Sequence, residues 1–139
     1  MNELRIELAD ELASFKPTDE LNGTVTWDLE QIPSSMELRL FWFTRGKGTE
    51  DVGVIKTIRF ETPGLRDKKT FNFSLPDSPY SFSGKLISLI WALELIAEPS
   101  SQVARREIVV APGGREIRLD SLPEHEKPKS FFGWKATRT

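Results

Sequence analysis

One histidine, no cysteine and a scatter of adjacent carboxylates are the stock from which this 139-residue chain could assemble an active site. His125 stands between Glu124 and Glu126, and a histidine beside a carboxylate is two-thirds of a nucleophilic triad, for which serines are plentiful. A triad also needs a tight, pre-oriented hydrogen-bond relay. His125 lies in an extended stretch bracketed by Pro123 and Pro128, so no catalytic residue is assigned and the chain is expected not to be an enzyme. Arg45-Gly46-Lys47-Gly48-Thr49 has the composition of a phosphate-cradling loop, but Lys and Thr are not adjacent and a strand pattern rather than a helix follows. It reads as a hairpin turn. Asp10-Glu11, Asp19-Glu20 and Glu50-Asp51 read as turn or surface charge, because none follows the spacing of a calcium loop. Without cysteine, thiol catalysis, iron–sulfur ligation and cysteine zinc sites are excluded, and neither metal nor cofactor is expected.

Two small basic groups complete the inventory: Arg66, Lys68 and Lys69, and Arg105-Arg106. Either could meet a single phosphate or an acidic peptide, yet charges on turns and edge strands also block edge-to-edge pairing. Nineteen Lys and Arg against 21 Asp and Glu give a net charge of −2, without the broad basic footprint of nucleic-acid binding. The most apolar run, Leu86 to Ile96, is about half the roughly 20 residues of a membrane helix and includes Ser88 and Glu94. No integral membrane segment is expected. Met1-Asn2-Glu3-Leu4-Arg5 does not begin a secretory signal, and the expected location is cytoplasmic.

The elements that would position these residues are strands. Leu4, Ile6 and Leu8 alternate with Arg5 and Glu7; Lys16-Pro17-Thr18-Asp19 turns the chain; Val25 and Trp27 then alternate with Thr24, Thr26 and Asp28. Met36, Leu38, Leu40 and Trp42 point one way, and Val52, Val54, Ile58 and Phe60 repeat the alternation after the glycine-containing break. Phe71, Phe73 and Leu75 make a short strand ended by Pro76 and Pro79. Leu86 to Ile96 is apolar on both faces, as a central, doubly covered strand would be, and Gln102 to Val110 is the last strand. Seven or so strands without helical crossovers predict an antiparallel β-sandwich over residues 1–111. On the long strand, Leu86, Ile90, Ala92 and Ile96 oppose the face of Ile87, Leu89, Trp91 and Leu93, so one face fills the core and the other requires cover.

The stretch from Phe71 to Leu95 resembles a known family. Phe73-Ser74-Leu75-Pro76, Pro79-Tyr80-Ser81-Phe82-Ser83-Gly84 and Ile90-Trp91-Ala92-Leu93-Glu94-Leu95 are similar to the N-terminal domains of arrestin-like proteins. These include arrestins, arrestin-domain adaptors, retromer's arrestin-shaped subunit and bacterial sporulation-control proteins. Leu21-Asn22-Gly23-Thr24-Val25 resembles the family's early strand, and the likeness extends over roughly Leu4 to Ala111. It implies an all-β, immunoglobulin-like antiparallel β-sandwich of arrestin type, with Trp91 between the sheets and Gly84 allowing a sharp entry into the long strand. The family's phosphate-sensing lysine pair has no counterpart, since the matching stretch reads Asp10-Glu11-Leu12, and residues 112–139 are too few for a second sandwich.

Residues 112–139 form a Pro- and charge-rich tail that ends in aromatics: Phe131, Phe132 and Trp134 fall within five residues. Such a cluster is costly to leave in water. Extended, the chain from Pro112 to Phe131 reaches about 60 Å, beyond the roughly 35 Å width of the sandwich. The segment is similar in composition to the tail that arrestins hold against their N-terminal domain, which marks Phe131, Phe132 and Trp134 as docking residues for a partner or for the chain's own domain. The expected function is a non-catalytic protein-interaction module, adaptor or scaffold, with a protein partner or a second copy of itself. The alternatives are a self-assembling structural subunit and, behind it, a small-ligand-binding protein or enzyme using the inter-sheet rim.

Overall fold

The computed structural model describes residues 2–9, 13–46, 50–113 and the backbone of 117–118. Among the described residues ten strands run in chain order: β1 (Glu3–Leu8), β2 (Ser14–Phe15), β3 (Glu20–Asp28), β4 (Ser35–Gly46), β5 (Val52–Phe60), β6 (Arg66–Ser74), β7 (Phe82–Ser83), β8 (Ile87–Glu98), β9 (Gln102–Val110) and β10 (Ile117–Arg118). The smaller sheet has the order β1-β3-β6 and is antiparallel throughout. In the larger, β8 is central: β4 pairs with it along one side and continues to β5, while the other side pairs first with β7 and then with β9. Two short parallel additions complete it, β2 on β9 and β10 on β7. Among the described residues no helix is long and apolar enough to cross a membrane.

Alternation writes the core. Leu21, Val25, Trp27 and Phe73 of the smaller sheet are buried against Met36, Leu38, Leu40, Trp91, Leu93 and Leu95 of the larger. Both central indoles have their N–H groups satisfied, as buried tryptophans require: Trp27 Nε1 donates to the Gly64 carbonyl at 2.9 Å and Trp91 Nε1 to the Pro79 carbonyl at 3.0 Å. Trp91 thus lies between the sheets as the sequence implies, and its indole ties β8 to the segment entering β7. Ser81 is buried beside it, its Oγ accepting from the Val110 N–H at 3.0 Å and its own N–H donating to the Val110 carbonyl at 2.7 Å.

Three details differ from the sequence reading. β6 begins at Arg66, so Arg66, Lys68 and Lys69 lie within a strand rather than ahead of it. The long strand begins at Ile87; Leu86 stands outside it, 67% exposed. The alternation of β5 is broken by a bulge opposite Leu40 and Phe41, where one extra residue reverses the side that follows. Val54 and Val52 therefore pair with the outward Phe41 and Phe43, whereas Ile58 and Phe60 pair with the inward Leu38 and Met36. The hairpin between β4 and β5 is closed by a reciprocal clamp: Thr44 N–H donates to the Asp51 carbonyl at 2.9 Å and Asp51 N–H to Thr44 Oγ1 at 2.8 Å. Gly46 ends β4 with φ of +147°, and a Cβ there would meet the Leu86 backbone.

Candidate interaction surface

The two sheets turn different outer faces to solvent. On the smaller, the cross-strand rows read Glu3–Asp28–Arg66, Arg5–Thr26–Lys68 and Glu7–Thr24–Thr70, with Asn22 beside Asn72. Every side chain in those rows is polar, as a solvated face should be.

On the larger sheet, two consecutive rows are apolar: Ile90–Phe43–Val52 and Ala92–Phe41–Val54. At the usual strand spacing and rise, these six side chains cover about 14 Å by 14 Å. Charged rows border the block. Glu94 opposes Arg39 and Arg105 on one side, and Arg45 opposes Ser88 on the other.

Arginines roof the block. Arg105 places its guanidinium carbon 5.4 Å from the Phe41 ring centroid and 5.2 Å from that of Phe43, while Arg45 lies 5.4 Å from Phe43. The rings are themselves stacked, 5.8 Å apart and inclined by 28°. Arg105 is held by Glu94, with Nη2 at 2.8 Å and Nε at 3.2 Å from the same carboxylate oxygen, and Arg45 reaches Glu107 at 3.2 Å. These covers are on the surface, where cation–π and ion-pair contacts each contribute about 1 kcal/mol or less, so an incoming apolar group can displace them at little cost.

The face of the long strand that requires cover is therefore partly covered from within its own sheet. Ala92 is fully buried, whereas Ile90 and Ile96 remain half-buried and Val52 and Val54 are 52% and 57% exposed. The role of Phe41 and Phe43 is not apparent from strand alternation alone: it follows from reading Phe41-Trp42-Phe43 as two outward rings around one inward indole.

The other candidate groups behave as scaffold or lie outside the described residues. Lys69 pairs with Asp67 at 3.8 Å and Arg66 with Asp28 at 3.2 Å, all on the smaller sheet, while Arg105 belongs to the arginine roof. Phe131, Phe132 and Trp134 lie outside the described residues, as do His125, Asp10-Glu11 and Lys47-Gly48-Thr49. Among the described residues, no three His, Asp or Glu side chains gather as a metal site would require. The cavities are shallow and open; one at the fork where β7 and β9 share β8 is lined by Ser81, Ser83, Ser88, Arg45 and Glu107. Ser81 is engaged by Val110, and the carboxylate of the cavity, Glu107, is engaged by Arg45.

No family model matches the chain, and no curated protein matches it. Among solved structures it is similar to Spo0M, a sporulation control protein from Bacillus subtilis, with a TM-score of 0.56 and 19% identity over 79% of this chain and 49% of that one. This chain thus spans about half the length of that neighbour. Looser likenesses are to a superoxide reductase (neelaredoxin) from Ignicoccus hospitalis T24K, with a TM-score of 0.43 and 18% identity over 77% of this chain and 78% of that one, and to a beta-glucosidase from Listeria innocua, with a TM-score of 0.44 and 14% identity over 84% and 17%. At such identities the likeness to Spo0M carries the fold and not the activity. The described residues form an all-β, immunoglobulin-like antiparallel β-sandwich of arrestin type.

Proposed function

We propose that this protein is a non-catalytic protein-interaction module that binds a protein partner through the outer face of its larger sheet. The observation that carries the reading is the contrast between faces: Phe41, Phe43, Ile90, Ala92, Val52 and Val54 form one apolar block, while the smaller sheet's rows are polar from edge to edge. A sheet face with two stacked rings and removable arginine covers supplies the aromatic and arginine anchors on which interfaces concentrate their binding energy. The tail aromatics Phe131, Phe132 and Trp134 remain candidates to occupy the same block or to present a second contact.

The test is affinity capture with the full chain, comparing the parent with Phe43→Asp and with Thr24→Asp on the polar face. Specific partners retained by the parent and by Thr24→Asp, but lost from Phe43→Asp, support the assignment. Identical partner sets from all three proteins reject it.

A further inference from the structure

We infer that β5 is a self-pairing edge, through which two copies of this chain join their larger sheets in antiparallel register about a two-fold axis near Gly53. Among the described elements β5 hydrogen-bonds to β4 alone and ends the sheet, leaving the outer backbone groups of a nine-residue strand without a ladder partner. Its first half, Val52-Gly53-Val54-Ile55, has no charge and no proline, and Val52, Val54 and Ile55 are 52%, 57% and 39% exposed. An open apolar edge of this kind is a template for another strand.

Other edges differ. β6 ends the smaller sheet and turns Asp67 and Lys69 inward, opposite Trp27 and Val25, while Arg66 and Lys68 stand on its outer face. Inward charges and a run of cations are what keep an edge from pairing; on β5 the bulge at Ile55 and the inward Lys56, opposite Leu40, close the second half in the same way, so the open stretch is Val52–Val54.

Charge selects both the occupant and the direction. Around the apolar half of β5, the exposed Glu50 lies on the N-terminal side, and Lys56 and Arg59 on the C-terminal side, while Asp51 is buried in the Thr44 clamp. In a parallel pair, acids would meet acids and bases would meet bases. Antiparallel pairing instead sets the Glu50 end of each copy beside the Lys56 and Arg59 end of the other, so the segment is complementary to itself, as an isologous interface requires. Among the described residues, Glu50, Lys56 and Arg59 have no ion pair of their own to give up.

A two-fold axis normal to the sheet keeps both outer faces on the same side. Val52 and Val54 of each copy then meet across the axis, and the two apolar blocks become one continuous platform.

The absence of cysteine makes the test direct. In an antiparallel ladder about Gly53, Val52 of one copy faces Val54 of the other with Cα atoms within disulfide range, so an equimolar mixture of Val52→Cys and Val54→Cys full chains should oxidise to a covalent heterodimer. Val103→Cys, equally exposed at 51% but on β9, should not. Light scattering should show a parent dimer that Lys56→Glu with Arg59→Glu weakens by about tenfold or more. Mixing that double variant with Glu50→Lys should restore pairing as a heterodimer. A parent that stays monomeric to its solubility limit overturns the inference while leaving the outer-face reading untouched. A dimer that survives the charge reversals, or that the Val52→Cys and Val54→Cys mixture fails to lock, overturns it by placing self-contact elsewhere.

Discussion

Gly53 lies flat against the indole of Trp42, across the β4–β5 ladder: a Cβ added at position 53 would sit 2.6 Å from Trp42 Cζ2 and closer still to Cε2 and Nε1. The glycine is there because the ring needs the space above the strand. Its neighbours Val52 and Val54 point the other way, so this one contact sets which side chains of β5 join the outer apolar block.

Gly53→Ala should therefore destabilise the protein by about 1–3 kcal/mol, the usual cost of overpacking. In a Trp42→Ala background the same substitution should cost much less, since the clashing ring is gone. Urea denaturation of the four proteins as a double-mutant cycle checks this, and additive effects would contradict the packing described.

Trp91 is fully buried and Phe82 nearly so. Trp91→Ala and Phe82→Ala should each cost about 3–5 kcal/mol, a large share of a domain's stability. Thermal melts of both variants matching the parent would misplace these rings.

The Thr44–Asp51 clamp predicts a smaller, specific effect. Thr44→Val keeps the volume and removes Oγ1, leaving the buried Asp51 N–H without its acceptor, at a cost of about 1–3 kcal/mol. Thr44→Ser retains the oxygen and should recover most of the loss. Equal melting temperatures for the Val and Ser variants would exclude the hydrogen bond as the cause.

Removing the arginine roof should bare the rings without unfolding the chain. Arg105→Ala deletes a cation that lies over both Phe41 and Phe43 and should change stability by about 1 kcal/mol or less. Binding of the dye ANS should rise, and ANS fluorescence unchanged from the parent would show that the arginine does not shield the block.

The sandwich is legible in the sequence because its signal is repeated: Leu4-Ile6-Leu8, Val25-Trp27, Met36-Leu38-Leu40-Trp42 and Phe71-Phe73 each alternate toward one core. Trp91 is legible for the same reason, with the surrounding Pro79 and Phe82 reinforcing its setting. The outer block is less so. Phe41 and Phe43 flank an inward Trp42, and in a string of aromatic residues neither face is marked as solvent. The bulge that turns Val52 and Val54 outward leaves no composition signal, since it inserts an ordinary Ile55 into a β-branched run. The start of β6 is obscured by charge: Arg66 to Lys69 look like a turn until pairing of Arg66 with Asp28 and of Lys68 with Thr26 shows those two on the polar face of a strand.

The most direct test of the central claim compares the two outer faces in the living cell. A photo-crosslinking amino acid is placed at position 43 on the larger sheet or at position 24 on the smaller, in otherwise unchanged full-length protein, and adducts are resolved by mass after irradiation. The account predicts discrete protein adducts from position 43 and none above background from position 24. Adducts of equal yield and identity from both positions, or none from position 43, would contradict it.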